Sequence, residues 1–209
     1  MSTRPAQLSR IIEDLSENGY AICEDFLPDS LVKVLADEAQ RRFISGDMLA
    51  AKTGKHASVH KPEIRGDSIF WLDENLENPS IQAYFSHMHT LKAALNQQLF
   101  MNVHELETHL ALYPVGAGYL KHLDQFQQAE NRQNQARQLS SILYLNADWQ
   151  AADGGELRLY LHDDEFIDIL PTAGKLVLFL SAKFWHEVLP AKRDRISLTG
   201  WFRTRNELF

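Results

Sequence analysis

Thr108-His109-Leu110-Ala111-Leu112-Tyr113, halted by Pro114-Val115-Gly116-Ala117-Gly118 and resumed as Tyr119-Leu120-Lys121-His122-Leu123-Asp124, is the stretch that decides the fold. It is two short β-like runs joined by a Pro/Gly turn, and the same grammar continues to the end of the chain. Further runs cover Leu139 to Leu145, Glu156 to Leu161, Phe166 to Leu170, Lys175 to Leu180, His186 to Leu189 and Ile196 to Phe202. Asp153-Gly154-Gly155, His162-Asp163-Asp164 and Pro171 with Gly174 punctuate them. Eight short strands with frequent turns predict a double-sheet jelly roll.

Upstream the apolar spacing is helical. Leu8, Ile11, Ile12 and Leu15 predict a helix from Gln7 to Asn18 stopped at Gly19, followed by a short strand, Tyr20 to Cys23. Pro28-Asp29-Ser30 opens a second helix with the stripe Leu31, Val34, Leu35, Ala39 and Phe43. Ser68 to Leu72 reads as a strand, and Asn78-Pro79-Ser80 opens a long third helix whose buried face runs from Ile81 to Leu99. His87 and His89 fall on different faces of it, and His104, His109 and His162 have no ligand-type neighbour at a local spacing, so none is given a metal role. Ser45 to Glu63 has no period and carries Lys52, Lys55, His56, His60 and Lys61, which predicts a long exposed loop on the substrate side. The expected organisation is one domain, mainly β with N-terminal helices. Residues 1–105 form a buttress of about three helices with a substrate-side loop at 45–67, and residues 106–209 form a double-stranded β-helix (jelly-roll) core.

Composition narrows the function classes. A net charge of −7 over 209 residues disfavours a broad nucleic-acid-binding surface, because that affinity comes from neutralising phosphates. The single Cys23 cannot form an intramolecular disulfide, the opening residues lack the apolar core of a secretion signal, and no apolar run approaches the ~20 residues of a membrane span. A cytoplasmic protein is expected.

The chemistry starts from His122-Leu123-Asp124. Alternate strand residues share a face, so an imidazole and a carboxylate enter one cavity, and a distant His186 completes a three-point set. Two histidines and one carboxylate suit non-haem Fe(II) with open positions for O₂ chemistry. A His-x-Asp by itself is commonplace, and its company matters more. Arg195 lies nine residues after His186, across the turn Pro190 to Asp194, which puts it on the adjoining strand. Its planar fork suits a carboxylate held at two points; the commoner fate of an arginine is a surface pair, here with Asp194 or Glu187.

An ordered set of motifs then resembles one family. Tyr113-Pro114, Gly118 to Asp124, Ile142-Leu143-Tyr144-Leu145-Asn146, Asp148-Trp149, Gly154-Gly155-Glu156-Leu157, His186-Glu187-Val188 with Pro190, and Arg195 to Trp201 look like the Fe(II)- and 2-oxoglutarate-dependent prolyl hydroxylases of the oxygen-sensing type. Ile64-Arg65-Gly66-Asp67 with Trp71 resembles that family's substrate-side segment. The resemblance implies His122, Asp124 and His186 as iron ligands and Arg195 as the partner of the 2-oxoglutarate C5 carboxylate. It implies Tyr113, Tyr144 and Trp201 as walls of the cosubstrate pocket, and Arg65 and Asp67 as residues holding a polypeptide substrate or its covering loop. The cofactors implied are Fe(II), 2-oxoglutarate and O₂, with ascorbate as a supporting reductant. The implied reaction converts 2-oxoglutarate to succinate and CO₂ while a prolyl C4 is hydroxylated.

The turn between Tyr113 and Tyr119 is one residue shorter than in the animal oxygen sensors, a Gln-rich segment follows Asp124, and the tail after Phe202 is short. The chain thus looks more like the bacterial members, for which a proline on elongation factor Tu is the implied substrate. Nucleic-acid demethylases of the same superfamily carry a second arginine where this chain has Trp201. The alternatives are a small-molecule hydroxylase and a metal-binding sensor barrel without turnover; the second has no need of Arg195 and the two tyrosines.

Overall fold

The computed structural model describes residues 5–52, 61–125, 137–162 and 165–204. Its helices form where the apolar spacing predicts them: α1 (Pro5–Asn18), α2 (Asp29–Ser45) and α3 (Pro79–Leu99). Local signals set their ends. Gly46 closes α2 in the left-handed conformation, its N–H returning to the carbonyls of Arg42 and Phe43. Asn78 caps α3 by accepting from the N–H groups of Ser80 and Ile81, with Pro79 in the first turn. The buried stripes, among them Ile11 and Leu15, Leu35 and Ala39, and Tyr84, Met88 and Leu95, merge into one core against a sheet.

That sheet has seven strands among the described residues, in the spatial order β1 (Tyr20–Cys23), β9 (Leu176–Leu180), β6 (Arg137–Tyr144), β11 (Arg195–Thr204), β4 (Val103–Tyr113), β3 (Ser68–Trp71) and β2 (Leu49–Ala50). A second sheet of four short strands runs β5 (Tyr119–His122), β10 (His186–Val188), β7 (Leu157–Tyr160) and β8 (Phe166–Ile169). Pairing within both is antiparallel. The large sheet has helices on one face and the cavity on the other, and the small sheet closes that cavity. This is the double-stranded β-helix expected from the strand count.

Three details differ from the sequence reading, and two of them move a site residue. β4 starts at Val103 instead of Thr108, because its first residues pair with the end of β11 and Glu107 meets Arg203 at 3.0 Å. β5 ends at His122, short of the expected run from Tyr119 through Leu123, so Asp124 lies past the strand in a bend. Arg195 is not on a strand beside His186: β10 belongs to the small sheet and β11 to the large one, and the turn at 190–194 carries the chain across. Of the expected loop at 45–67, Leu49–Ala50 pairs with β3. Lys55, His56 and His60 lie outside the described residues, as do Gln127, Gln128, Gln133 and Gln135 of the Gln-rich segment and residues 205–209 of the tail.

Candidate active site

Between the sheets lies a cavity of about 950 Å³ whose wall includes His122, Asp124, His186, Arg195, Tyr113 and Trp201. His122 and His186 face each other as a register pair of β5 and β10. Gly118 permits this close approach, since a Cβ there would sit 2.6 Å from the carbonyl oxygen of Val188. Each imidazole is locked by the same local device. His122 Nδ1–H donates to the carbonyl of Leu120 (2.7 Å) and His186 Nδ1–H to that of Phe184 (3.2 Å), two residues back in each case. A carbonyl only accepts, so the proton is on Nδ1 and Nε2 is left as a lone-pair donor, the tautomer a metal-binding histidine needs. The Tyr119 ring stacks on His122, with centroids 3.6 Å apart.

Asp124 completes the cluster. Its Oδ1 is 3.8 Å from His122 Nε2 and its Oδ2 is 3.6 Å from His186 Nε2. Those separations are too long for hydrogen bonds but of the order expected for donor atoms around a shared cation. Among the described residues this is the group that brings three ligand-type side chains together, with the donor atoms within 4.8 Å of one another. Electrostatics agree with a neutral His122 imidazole and an ionised carboxylate. Burial, followed by repulsion from His186, pushes the His122 imidazolium down to about 3. Burial alone would raise the Asp124 carboxyl, but His186, His122, the Ser140 hydroxyl and the Trp201 indole N–H outweigh it and hold the group below the usual carboxylate range. Two imidazole Nε2 atoms beside one carboxylate fit a divalent transition-metal ion.

The large sheet supplies the second half of the cavity. Arg195, the first residue of β11, is 1% exposed, and its Nε donates to the carbonyl of Gly155 at 2.9 Å. Its carboxylate neighbours are engaged elsewhere: Asp194 accepts from the Val115 N–H and Glu187 from the Tyr160 hydroxyl. Arg195 Nη2 and the Tyr144 hydroxyl are both buried without a well-formed hydrogen bond from the protein. The guanidinium carbon lies 4.9 Å from the Tyr144 ring centroid and 5.3 Å from that of Tyr113. Burial holds both phenols well above their ordinary range, so each hydroxyl remains protonated and available as a donor. A buried guanidinium with an unpartnered N–H and a phenol beside it is the donor set for an external carboxylate, and 2-oxoglutarate carries one at each end.

Trp201 stands between the two halves, its ring under the Arg137 guanidinium at 3.5 Å. Arg65 lines the cavity and is gripped by the buried Asp67, Nε to Oδ1 at 2.7 Å and Nη2 to Oδ2 at 2.9 Å. Their segment hydrogen-bonds to the start of β5 through the Gly66 N–H to the Gly118 carbonyl and the Leu120 N–H to the Ile64 carbonyl. Ala51 N–H donates to the Asp67 carbonyl, which ties the strand β2 segment to the same place.

Two features escaped the sequence reading. His109, given no role there, sits in the cavity wall between Trp71 (centroids 4.7 Å apart) and Trp201 (5.6 Å), and both its ring nitrogens are buried and unpartnered. Ser140, not singled out at all, hydrogen-bonds Asp124. Alternation along β6 with Tyr144 was the available signal for Ser140, since residues two and four apart share a face.

Residues 108–203 match the profile of the 2OG-Fe(II) oxygenase superfamily. A prolyl-4-hydroxylase from Pseudomonas putida is 43% identical, superposes with a TM-score of 0.84, and is covered over 100% of its length by 95% of this chain. A prolyl hydroxylase from Trichoplax adhaerens, solved with a hypoxia-inducible factor peptide, is 27% identical with a TM-score of 0.82 over 94% of this chain and 88% of its own. The hypoxia-inducible factor prolyl hydroxylase of Caenorhabditis elegans is 30% identical over 94% of this chain, which spans 28% of that protein's length. With a family profile matched over residues 108–203 and a prolyl-4-hydroxylase 43% identical over its whole length, the chain belongs to the 2OG-Fe(II) oxygenase superfamily, beside the prolyl hydroxylases of the hypoxia-inducible factor type.

Proposed function

We propose that this protein hydroxylates C4 of a prolyl residue within a polypeptide, with Fe(II) held by His122, Asp124 and His186 and 2-oxoglutarate held by Arg195. The observation that carries the reading is the buried Arg195 in the wall of the cavity that also holds the triad, its guanidinium 4.9 Å from the Tyr144 ring centroid and its Nη2 without a well-formed hydrogen bond. A metal site without turnover has no need of a desolvated guanidinium. Bound Fe(II) supplies O₂ activation at the expense of 2-oxoglutarate, which leaves as succinate and CO₂.

The protein's own residues do the rest. Arg195 and Tyr144 fix the distal carboxylate of the cosubstrate, so its 2-oxo acid end reaches toward the triad. Tyr113 and Trp201 wall the cavity and exclude water, which shields reactive species from side reactions. Arg65 and Asp67, locked to each other at the end of the 45–67 loop, which backbone hydrogen bonds tie to β5, would hold the polypeptide substrate or its covering loop. Half-exposed Trp71 and exposed Leu49 offer apolar surface in the cavity wall, suited to a polypeptide. The two sheets and the helices act together as one catalytic domain.

The first candidate substrate is elongation factor Tu, on the strength of the likeness to bacterial members, and it would place the enzyme in the cytoplasm. No helix among the described residues is long and apolar enough to cross a membrane. The test is mass spectrometry of a bacterial proteome treated with the Fe(II)-loaded enzyme, 2-oxoglutarate and O₂. The mass of one added oxygen on a prolyl residue of elongation factor Tu is expected. Oxygen on a proline of another protein would reassign the substrate, and oxygen only on free amino acids or nucleobases would overturn the polypeptide reading.

A further inference from the structure

His122 and His186 are held by their own strands, but Asp124 is not. It lies beyond the end of β5, and what fixes it comes from the opposite sheet. The Ser140 hydroxyl, on β6, donates to Asp124 Oδ2 at 2.6 Å, the length of a charge-assisted O–H···O⁻ bond. Ser140 Oγ is also 2.9 Å from the hydroxyl of Ser181, just past the end of β9. A serine has one proton to give, and that of Ser140 is committed to the carboxylate, so Ser181 is the donor in the second bond. The chain therefore runs Ser181 to Ser140 to Asp124, and each link polarises the next. Ser181 acts a second time, because its carbonyl accepts from the N–H of Gln125, the residue after Asp124 (3.3 Å). Ser140 is 1% exposed and Ser181 is 0% exposed, so solvent does not compete for either hydroxyl.

We propose that Ser140, backed by Ser181, is a positioning residue of the metal centre: its hydroxyl occupies Asp124 Oδ2 and leaves Oδ1 as the carboxylate oxygen presented to the metal. The assignment rests on the metal-site reading above. Without the clamp, the Trp201 indole N–H would be the remaining side-chain donor to Asp124, and the carboxylate would turn more easily to offer both oxygens to the metal, at the expense of a position needed by the cosubstrate or O₂. Partners of this kind behind a ligating group typically change metal affinity by 10–100-fold when removed.

Anaerobic titration with Co(II) as a spectroscopic probe tests it, with the metal-free melting temperature of each variant as a fold check. The wild-type protein is expected to take up one Co(II) per chain. Ser140→Ala should weaken binding by at least about 10-fold and change the ligand-field spectrum. Ser140→Thr, which restores the hydroxyl, should return the affinity to within about threefold and recover the spectrum, and Ser181→Ala should fall between. Should Ser140→Ala not fold, Ser140→Cys, similar in size but a weak donor, carries the same expectation. Wild-type affinity and spectrum in the folded non-hydroxyl variant would overturn the proposal, as would a well-folded Ser140→Thr that binds as weakly as Ser140→Ala. Failure of the wild-type protein to bind Co(II) would instead overturn the metal-site reading itself, and this inference with it.

Discussion

The small sheet presents His122 and His186, while the large sheet presents Arg195, with Tyr144 beside it, and Tyr113 to the same cavity, and the two do so by different physical means. Strands of the small sheet are three or four residues long, and its outer face carries solvent-facing pairs such as Arg158 with Asp168. Its inward apolar residues, among them Leu157, Leu159 and Val188, pack in a second core between the sheets, and each imidazole is fixed in addition by a hydrogen bond to a carbonyl two residues back. The large sheet has strands of eleven and ten residues at its centre, covered by helices on one face. Its depth removes Arg195 from water, which strengthens a guanidinium–carboxylate bond at the cost of leaving that guanidinium in need of a partner. On the proposed function, short-range hydrogen bonds would orient the metal's imidazoles, whereas a buried guanidinium would hold the small organic acid. Asp124 links the two halves: it belongs to the small sheet by sequence and to the large sheet by hydrogen bonding.

The largest effect that would break this division is loss of a ligand from the small sheet. His186→Ala is expected to lower Fe(II) affinity at least about 100-fold in an anaerobic titration, beyond the usual cost of losing a second-sphere partner, while the melting temperature of the metal-free protein changes little. Near-normal iron binding by this variant would mean that the triad is not the metal site.

A smaller effect belongs to the large sheet and appears in the pH dependence of stability. Burial, helped by Arg65 and Arg137 and opposed by Asp124, pushes His109 down to about 3. An unfolded chain protonates the same imidazole near 6.5, so between those values the unfolded state binds more protons. Stability should therefore be fully present above about pH 6.5 and be lost as pH falls toward 3, with His109 contributing up to about 1.4 kcal/mol per pH unit. Denaturant melts of metal-free wild type and His109→Leu at a series of pH values check this. The variant should show the shallower slope, although His122 keeps part of the dependence in both. Equal slopes would show that His109 is protonated alike in the two states.

The smallest effect is expected on the outer face of the small sheet. Asp168→Ala removes the partner of Arg158 in an exposed ion pair, and such pairs contribute about 0–1 kcal/mol. Metal and 2-oxoglutarate affinities should match those of the wild type. A clear loss of iron binding would show that the strands are not held by their inward contacts alone.

The parts of the site legible in the sequence were those fixed by local order. Helix spacing, capping residues and turn signals located α1, α2 and α3 and the run of short strands, and the ordered motifs pointed to the triad, Arg195 and the two tyrosines. The parts that were not legible depend on which strands meet across the barrel. Strand alternation predicted that Asp124 would share a face with His122 because of the strand itself; the strand ends first, and Ser140 and Ser181 hold the carboxylate from β6 and β9. Arg195 was expected beside His186, yet a five-residue turn sends it to the other sheet, because a jelly roll alternates its strands between layers. The early start of β4 was hidden by polar Glu105 and Glu107, whose side chains looked like loop until β11 supplied Arg203. His109 was passed over because a histidine between two tryptophans from distant strands leaves no local spacing to read.

The central claim, that metal and cosubstrate are held by different sheets, is tested most directly by measuring both affinities in Arg195→Met under anaerobic conditions. Truncating one partner of a buried charged pair costs about 2–5 kcal/mol, so 2-oxoglutarate should bind at least about 30-fold more weakly while Fe(II) affinity stays within about threefold of wild type. Parallel loss of both ligands, or unchanged binding of 2-oxoglutarate, would contradict it.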